Sequence, residues 1–389
     1  MAHEALRQTN THSQEDHGGI SRVFLQHFRS WEHVSFACDT TPVILTGPNG
    51  AGKTNILEAL SLLAPGQGLR SAKLSHITSH AHVSHTPWSV SVHVREGGLA
   101  PMVLGTSLEM RDGKERRVIQ LDGRHGVPQS ELPQVLGVVW LTPAMDRLFM
   151  DAAASRRRFL DRLVAMFAPH HASLVAKYEY CVRERLRLLK DGRSSPQWLD
   201  ALEEKAAQAA VAIAAARLSL VERLNSAKEL ALGFLPRPYL TLEGDVEDLV
   251  RAHPALRAEE DFQKMLAASR VLDASSGRTQ CGAHKSDLVV TYEGRAPAAS
   301  CSTGEQKALL LSLMMAAVRL RARTREGVPL LLLDEVIAHL DEGRRVALLE
   351  EISHLNIQTW MTGTHPCAFA SMKGRMQHFQ LEKGTLTPL

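Results

Sequence analysis

The apolar and polar positions first take on a strand-like pattern at Ile20. Apolar residues cluster in short stretches at Arg22–Leu25, Val34–Phe36 and Pro42–Leu45, and the last stretch ends in a glycine-rich turn. From Asn55 to Leu63 the apolar residues have helical spacing instead. A buried strand, a glycine turn and a helix in that order predict the start of an α/β domain.

Two later segments alternate between apolar and polar residues, Ser89–Val94 and Arg117–Leu121. The pairs Gly97-Gly98 and Asp112-Gly113 separate them, and such pairs are typical of tight turns. This pattern predicts an antiparallel sheet whose strands are joined by short turns.

Helical character dominates from Ser155 to about Lys228, where stretches rich in Ala, Leu, Arg and Glu follow one another. Buried-strand patterns return at Pro329–Leu333 and Thr359–Met361, each next to a helical stretch. The fold class predicted is therefore α/β, with a mixed sheet and helices, an antiparallel β subdomain and an inserted helical arm.

These patterns also divide the chain. We predict a flexible N-terminal tail over residues 1–19, an N-terminal part of the head over 20–150, a helical arm over 151–275 and a C-terminal part of the head over 276–389.

Composition narrows the class of protein. Hydrophobic residues make up 44% of the chain, which excludes wholesale disorder, and 45 basic against 42 acidic residues neither demand nor exclude a polyanionic partner. The five cysteines form no C-x-x-C pair, which argues against a disulfide framework or a zinc site. With no apolar run of membrane-spanning length and no signal-peptide pattern, we expect a cytoplasmic protein.

The clearest chemical signal follows the third apolar stretch. Residues 47–54 satisfy the phosphate-loop pattern G-x-x-x-x-G-K-[ST] between a strand and a helix; they are Gly47, Pro48, Asn49, Gly50, Ala51, Gly52, Lys53 and Thr54. Glycines let backbone N–H groups turn toward a phosphate, Lys53 reaches the outer phosphates, and the Thr54 hydroxyl is a ligand for Mg²⁺. We assign this loop, together with Asn55, to binding the phosphates of a nucleotide.

A pair of acids ends a buried strand later in the chain. Four leucines, 330–333, precede Asp334 and Glu335, so the strand delivers both carboxylates to the edge of the sheet where ligands bind. Asp334 is predicted to join the Mg²⁺ site with Thr54. Glu335 is predicted to orient or deprotonate an attacking water, and it is our catalytic candidate beside Lys53.

The segment Cys301-Ser302-Thr303-Gly304-Glu305-Gln306-Lys307, followed by a helix, resembles the signature motif of ABC-type ATPases. The resemblance implies that Ser302 and Gly304 bind the γ-phosphate of a nucleotide held by a second subunit. Ala338-His339-Leu340-Asp341 looks like the D-loop of these enzymes, which implicates Asp341. His365 stands where a switch histidine is expected, although Thr362 or Thr364 could take that role; the Q-loop residue is not assigned.

Further motifs resemble the RecF family of DNA-repair ATPases. Lys53 and Ser302 are 249 residues apart, and a long insertion in this interval is characteristic of the DNA-repair branch of the superfamily. Four segments are similar to motifs of RecF proteins. Phe28-Arg29 matches a motif that reads approximately F-R-N-Y, and Gly66-Gln67-Gly68-Leu69-Arg70 matches G-R-S-x-R. Ser155-Arg156-Arg157-Arg158-Phe159-Leu160-Asp161 matches R-R-x-F-L-D, and Gly282-Ala283-His284-Lys285-Ser286-Asp287-Leu288 matches G-P-H-R-D-D-L.

The resemblance implies an ABC-type ATPase head with a helical arm, which uses ATP and Mg²⁺, dimerises on ATP and binds double-stranded DNA beside single-stranded gaps. It further implies slow, DNA-stimulated hydrolysis and cooperation with RecR and RecO to load RecA. Two alternatives remain at this point: a transport ATPase subunit and a structural DNA-binding protein that does not hydrolyse ATP.

Basic residues cluster at three places where DNA phosphates could be contacted. The clusters are Arg156-Arg157-Arg158; Arg183, Arg187 and Lys190; and Arg319, Arg321, Arg323 and Arg325. Charged groups on helices are commonly solvated faces, so no one cluster is singled out. With only 19 aromatic residues, phosphate contacts are favoured over base stacking.

Overall fold

The computed structural model describes residues 18–78, 86–192, 195–227, 235–324, 326–340, 342–355, 357–372, 374–382 and 384–389, and the statements below refer to them. Of the tail predicted over residues 1–19, only the last two residues belong to this part of the chain.

The strands are β1 (Gly19–Phe28), β2 (Trp31–Ala37), β3 (Val43–Thr46), β4 (Ser89–Arg95), β5 (Met102–Arg111), β6 (Lys114–Leu121), β7 (Arg124–His125), β8 (Leu136–Leu141), β9 (Pro238–Glu243), β10 (Asp287–Tyr292), β11 (Ala296–Pro297), β12 (Val328–Leu333), β13 (Thr359–Gly363), β14 (Gln377–Glu382) and β15 (Thr385–Pro388). The α-helices are α1 (Lys53–Ser61), α2 (Leu132–Val135), α3 (Ala153–Ala165), α4 (His171–Asp191), α5 (Pro196–Ser226), α6 (Asp245–Ala252), α7 (Ala255–Ala268), α8 (Arg270–Ser276), α9 (Thr303–Thr324) and α10 (Glu342–His354). In the described residues, no helix is both long and apolar enough to cross a bilayer.

A six-stranded mixed sheet forms the centre of the head, in the order β15-β14-β3-β13-β12-β8. Its strands are parallel except for β15, which pairs antiparallel with β14. Along β12, Leu330 and Leu332 face one hydrophobic cluster while Leu331 and Leu333 face the other, because side chains of a strand alternate between its faces. Both faces are thus covered, as the run of four leucines predicts.

A second six-stranded sheet is antiparallel, in the order β2-β1-β4-β5-β6-β7. It contains the alternating segments of the sequence in β4 and β6. Helix α1 packs into the same hydrophobic cluster as this sheet and one face of the mixed sheet. Helices α9 and α10 contribute to the cluster on the opposite face. The predicted α/β architecture with an antiparallel β subdomain is confirmed.

The interval predicted as a helical arm holds α3 to α8 and also one strand that the sequence patterns missed. That strand, β9, pairs antiparallel with β10 in a small sheet completed by β11. Leu240 and Leu242 of β9 are buried while its other residues are not, so the period-2 signal was present but short. A chain segment inside the predicted arm therefore shares a sheet with β10, which lies outside it.

Charged side chains are buried between α4, α5 and α8. Arg185 is fully buried and donates to Glu203 Oε1 at 2.8 Å, to Asp273 Oδ2 at 2.6 Å and to the Leu266 carbonyl at 2.6 Å. Both carboxylates are also fully buried. A buried cation with this many acceptors is satisfied, but removing it would leave two carboxylates without their shared partner.

We expect Arg185→Met to lower the free energy of unfolding by about 3–5 kcal/mol, because Asp273 loses its charged partner and Glu203 is left with Arg270 alone. Chemical denaturation monitored by circular dichroism measures this change. Arg187→Met on the same helix is the matched control, since Arg187 pairs with Glu184 and Asp191 in solvent and its loss should change little. Equal destabilisation by the two substitutions would contradict the special position of Arg185.

Candidate functional site: a phosphate loop and a carboxylate pair

The phosphate loop runs from the end of β3 to the start of α1, and its glycines have backbone conformations that other residues rarely adopt. The φ angles are 150° at Gly47, 82° at Gly50 and 97° at Gly52. A Cβ atom on Gly47 would lie 2.2 Å from the Leu381 carbonyl oxygen, so this position also requires glycine for space. Trp31 Nε1 donates to the Gly52 carbonyl at 3.3 Å and holds the loop from the side of the antiparallel sheet.

Lys53 begins α1 and folds back over the loop. Its ammonium group donates to the carbonyl oxygens of Gly47 at 2.7 Å and Pro48 at 2.9 Å, and the residue is buried. Burial lowers the pKa of Lys53, while the negative charges of Glu335 and Asp334 act in the opposite direction. The lysine, the loop and the carboxylate pair thus belong to one electrostatic site.

The structure brings Thr54 and Asp334 together. Thr54 Oγ1 donates to Asp334 Oδ1 at 2.9 Å, although the two residues are 280 positions apart in the chain. The pairing of β3 with β13 and of β13 with β12 places the end of β3 and the end of β12 at the same edge of the sheet. A hydroxyl and a carboxylate side by side at this edge are oxygen ligands of the kind that Mg²⁺ prefers.

These residues fit a magnesium ion in a phosphate-loop site. Mg²⁺ in such sites usually keeps several waters and takes one or two protein oxygens besides those of the substrate phosphates. Among the described residues, no group of three or more His, Cys, Asp or Glu side chains forms a cage for a metal. The pair Thr54 and Asp334 therefore matches the sparse protein contribution that such a site needs.

Glu335 follows Asp334 in an unusual backbone conformation. Its φ angle is 52°, in the left-handed region, and its backbone N–H donates to Thr362 Oγ1 at 2.8 Å. The same Thr362 hydroxyl donates to Asp334 Oδ1 at 2.8 Å. The sequence named Thr362 only as an alternative for the switch position, and the structure shows it in direct contact with both acids.

The two other candidates from this region are placed differently. His365 lies in the loop after β13 and is exposed, and its backbone carbonyl accepts a hydrogen bond from Ala368. Asp341 lies outside the described residues. The assignment of a switch role to His365 therefore stays a prediction, as does the role of Asp341.

The signature segment forms a separate exposed surface at the start of α9. Ser302 and Gly304 are exposed, and the Glu305 carboxylate accepts from both the Ser302 hydroxyl at 2.7 Å and the Ser302 backbone N–H at 2.8 Å. This is a capping box, which fixes the first turn of a helix. In the described residues no hydrogen bond links Ser302 or Gly304 to the phosphate loop of their own chain.

Two motif arginines support α1 from behind. The buried carboxylate of Glu58 accepts from Arg29 Nε at 2.9 Å and from Arg70 Nη1 at 2.8 Å. Arg70 Nη1 also donates to Asn55 Oδ1 at 2.9 Å, and Asn55 Nδ2 donates to Ser30 Oγ at 2.8 Å. Asn55, predicted as a nucleotide ligand, is thus engaged in this network. Sequence reasoning missed Glu58, because an acid inside a helix gives no signal of its own.

The basic clusters turn out to be largely engaged within the chain. Arg156 binds Asp287 through two bonds, at 2.7 and 2.6 Å, and Arg157 donates to the Ser286 carbonyl at 2.7 Å. Arg321 is buried and bonds Glu326 and the Pro133 carbonyl. Arg158 is exposed, so it is better placed than its two neighbours to contact a phosphate.

Comparison with known proteins identifies the family. The sequence profile of the RecF/RecN/SMC N terminal domain matches residues 19–387. A protein of Mesorhizobium japonicum named DNA replication and repair protein RecF is 41% identical over 375 residues, covering 95% of this chain and 97% of its own length. The chain belongs to the RecF family. Proteins of the same name from Rhizobium etli (strain CIAT 652), 41% identical over 94% of this chain, and Brucella abortus, 39% identical over 96%, have similar coverage.

Solved structures support the RecF fold. The recombination mediator protein RecF-ATPrS in the RecFOR pathway superposes with a TM-score of 0.82 at 21% identity, covering 96% of this chain and 99% of that one. The head domain of Smc from Pyrococcus furiosus superposes with a TM-score of 0.51 at 15% identity over 96% of both chains. The predicted resemblance to RecF and to ABC-type ATPase heads is confirmed at the level of family and fold.

Substitution of the loop glycines tests this geometry. We expect Gly47→Ala to lower the free energy of unfolding by more than Gly50→Ala, because only Gly47 has a backbone atom in the space of the new Cβ. Gly50→Ala should cost about 1–2 kcal/mol from its left-handed backbone alone. Denaturant unfolding of both variants measures the difference, and equal losses would show that the loop does not press against Leu381.

Proposed function

We propose that this RecF-family protein is an ATP-dependent DNA-binding clamp whose two copies close on ATP and open after hydrolysis. The observation that carries the proposal is the joint position of Lys53, Thr54, Asp334 and Glu335 at one edge of the mixed sheet. These are the groups that phosphoryl transfer needs: a cation for the outer phosphates, oxygen ligands for a metal, and a carboxylate for the attacking water.

Each residue has a defined task in this reaction. The loop N–H groups and the Lys53 ammonium bind the phosphates, and the Lys53 hydrogen bonds to Gly47 and Pro48 keep the ammonium at the loop. Thr54 and Asp334 would hold Mg²⁺, which neutralises charge on the phosphate oxygens when bound. Glu335 orients a water and accepts its proton as the water attacks.

The second half of the nucleotide site is proposed to come from another copy of the chain. Ser302 and Gly304 are exposed at the N-terminal end of a long helix, whose dipole favours an anion. To bind a phosphate there, the Ser302 hydroxyl exchanges its hydrogen bond to the Glu305 carboxylate for one to the γ-phosphate. ATP then contacts the phosphate loop of one protomer and Ser302 of its partner. The γ-phosphate is the group that both surfaces share, so its release after hydrolysis weakens the dimer.

DNA and protein partners follow from the family. The matched relatives are named DNA replication and repair proteins, and one matched structure is named for the RecFOR pathway. We infer that the closed dimer binds DNA phosphates at gaps or single-strand/double-strand junctions, and that it acts with RecR and RecO in loading RecA. Exposed cations such as Arg158 would supply contacts that weaken as salt rises.

Sedimentation with and without ATP, repeated with gapped DNA, tests the clamp. The proposal predicts a monomer without nucleotide, a dimer with ATP, and a heavier complex with gapped DNA. Parallel assays of ATP turnover should give a slow rate that DNA increases. Turnover that DNA does not increase would contradict the coupling of hydrolysis to DNA binding, and absence of turnover would favour a structural DNA-binding protein.

Lys53→Ala should abolish nucleotide binding, because the loop loses the only cation that the structure places against its carbonyl groups in the described residues. Equilibrium titration with a fluorescent ATP analogue measures the affinity. Lys73→Ala, which removes an exposed lysine beyond α1, should leave it unchanged. Wild-type affinity in Lys53→Ala would contradict the assignment of the loop.

Ser302→Arg should leave ATP binding by the monomer intact and block ATP-dependent dimerisation, because the long cation fills the surface offered to the partner's nucleotide. Size-exclusion chromatography with light scattering in saturating ATP measures the mass. Ser275→Arg adds the same charge on an exposed part of α8 and should still dimerise. Normal dimers of Ser302→Arg would refute the shared site.

A further inference from the structure

The hydroxyl of Thr362, in the mixed sheet, is hydrogen-bonded to both Asp334 and Glu335. It lies on β13, all of whose residues are buried, and is itself 1% exposed. Its hydroxyl donates to Asp334 Oδ1 and accepts from the Glu335 backbone N–H, both at 2.8 Å. A hydroxyl has one proton to donate and two lone pairs to accept, so this pair of bonds is fully compatible.

The first bond acts on the carboxylate of Asp334. Its Oδ1 atom accepts from two hydroxyls, those of Thr54 and Thr362. Asp334 is 6% exposed, so few waters are at hand to replace a lost donor. The two threonines approach from β13 and α1, and together they fix the orientation of the carboxylate that faces the phosphate loop.

The second bond acts on the backbone of Glu335. This residue has a φ of 52°, and a left-handed conformation costs a side-chain-bearing residue energy that neighbouring contacts must offset. The hydrogen bond from Glu335 N to Thr362 Oγ1 is such a contact. This bond fixes the peptide group before the Glu335 Cα, and the orientation of that group sets the direction of the Glu335 side chain.

We propose that Thr362 is a positioning residue that sets the geometry of both acids through one hydroxyl group. The inference rests on the proposed ATPase function, and it assigns to Thr362 a task different from that of a switch residue that touches the γ-phosphate. A methyl group in place of the hydroxyl removes a donor from Asp334 and leaves the Glu335 N–H without its acceptor.

Another threonine on the same strand provides the comparison with an ordinary core residue. Thr359 is fully buried at the opposite end of β13, and its hydroxyl donates to the Ile357 carbonyl at 3.3 Å, two residues back in its own segment. A buried threonine commonly satisfies its hydroxyl in this way, by donating to a backbone carbonyl of its own segment. Thr362 instead joins β13 to the residues that follow β12.

The test compares Thr362→Val with Thr362→Ser and Thr359→Val. Valine keeps the shape of threonine without the hydroxyl, serine keeps the hydroxyl, and Thr359→Val makes the same replacement away from the acids. We would measure three quantities for each variant: ATP affinity with and without Mg²⁺ by calorimetry, steady-state kcat and KM, and the midpoint of thermal unfolding.

Thr362→Val should bind ATP without Mg²⁺ as the wild type does, yet gain less affinity when Mg²⁺ is added. Its kcat should fall about ten- to hundredfold, the range expected from losing one hydrogen bond to a charged group, with KM changing far less. Thr362→Ser should restore both the Mg²⁺ response and kcat. Thr359→Val should match the wild type in both.

Several results would overturn the positioning role. These are a wild-type kcat and Mg²⁺ response in Thr362→Val, a defect in Thr362→Ser as large as that in Thr362→Val, and the same defect in Thr359→Val. If Thr362→Val loses its cooperative unfolding transition, Thr362→Ala against Thr359→Ala gives the same comparison with smaller side chains. A wild-type chain that neither binds nor hydrolyses ATP defeats the proposed function instead, so the two failures are distinguishable.

Discussion

The hydrogen bond from Thr54 to Asp334 joins the start of α1 to the end of β12. It forms only if β3 pairs with β13, and β13 with β12, in the correct register. β3 leads into the phosphate loop, β13 lies beside β3, and β12 lies beside β13. A shift of one residue in either pairing would turn the side chains of a strand to its other face. The leucines of β12, which are buried on both faces, stabilise the strand that carries Asp334 and Glu335 at its end.

Opposite charges meet at the same edge of the sheet. Burial lowers the pKa of the Lys53 ammonium, and the two acids oppose that shift. On the far side of α1, the Glu58 carboxylate pairs with Arg29 and Arg70, so the helix is held by ion pairs as well as by its apolar face. Arg117 adds a cation at the C-terminal end of α1, where it donates to the carbonyl oxygens of Gly66 and Ala64.

What the sequence could predict depends on how local each feature is. The pattern of the phosphate loop is encoded within eight consecutive residues, so the sequence predicts it, although Trp31 and Leu381 also contact the folded loop. The contact of Thr362 with both acids depends on which strands become neighbours. The sequence offered Thr362 only as an alternative for the switch position, and no pattern in β13 predicts its contact with the acids. The strand β9 was missed for a related reason: its short alternation gains meaning only when β10 pairs with it.

The family motifs outside the nucleotide site have a structural explanation in the junction between arm and head. Asp161 of α3 accepts two bonds from Arg217 of α5, each at 2.8 Å, and Arg217 also donates to the Ala283 carbonyl. Hydrogen bonds from His171 and Arg217 hold the pKa of Asp161 below its usual value although burial acts to raise it.

A second contact joins the same helix to the head: Arg156 of α3 binds Asp287 at the start of β10. The motif segments Ser155–Asp161 and Gly282–Leu288 are therefore two sides of one interface. Helix α3 belongs to the same hydrophobic cluster as α9, the helix that Ser302 immediately precedes, so one core connects this interface with the element that presents the signature surface.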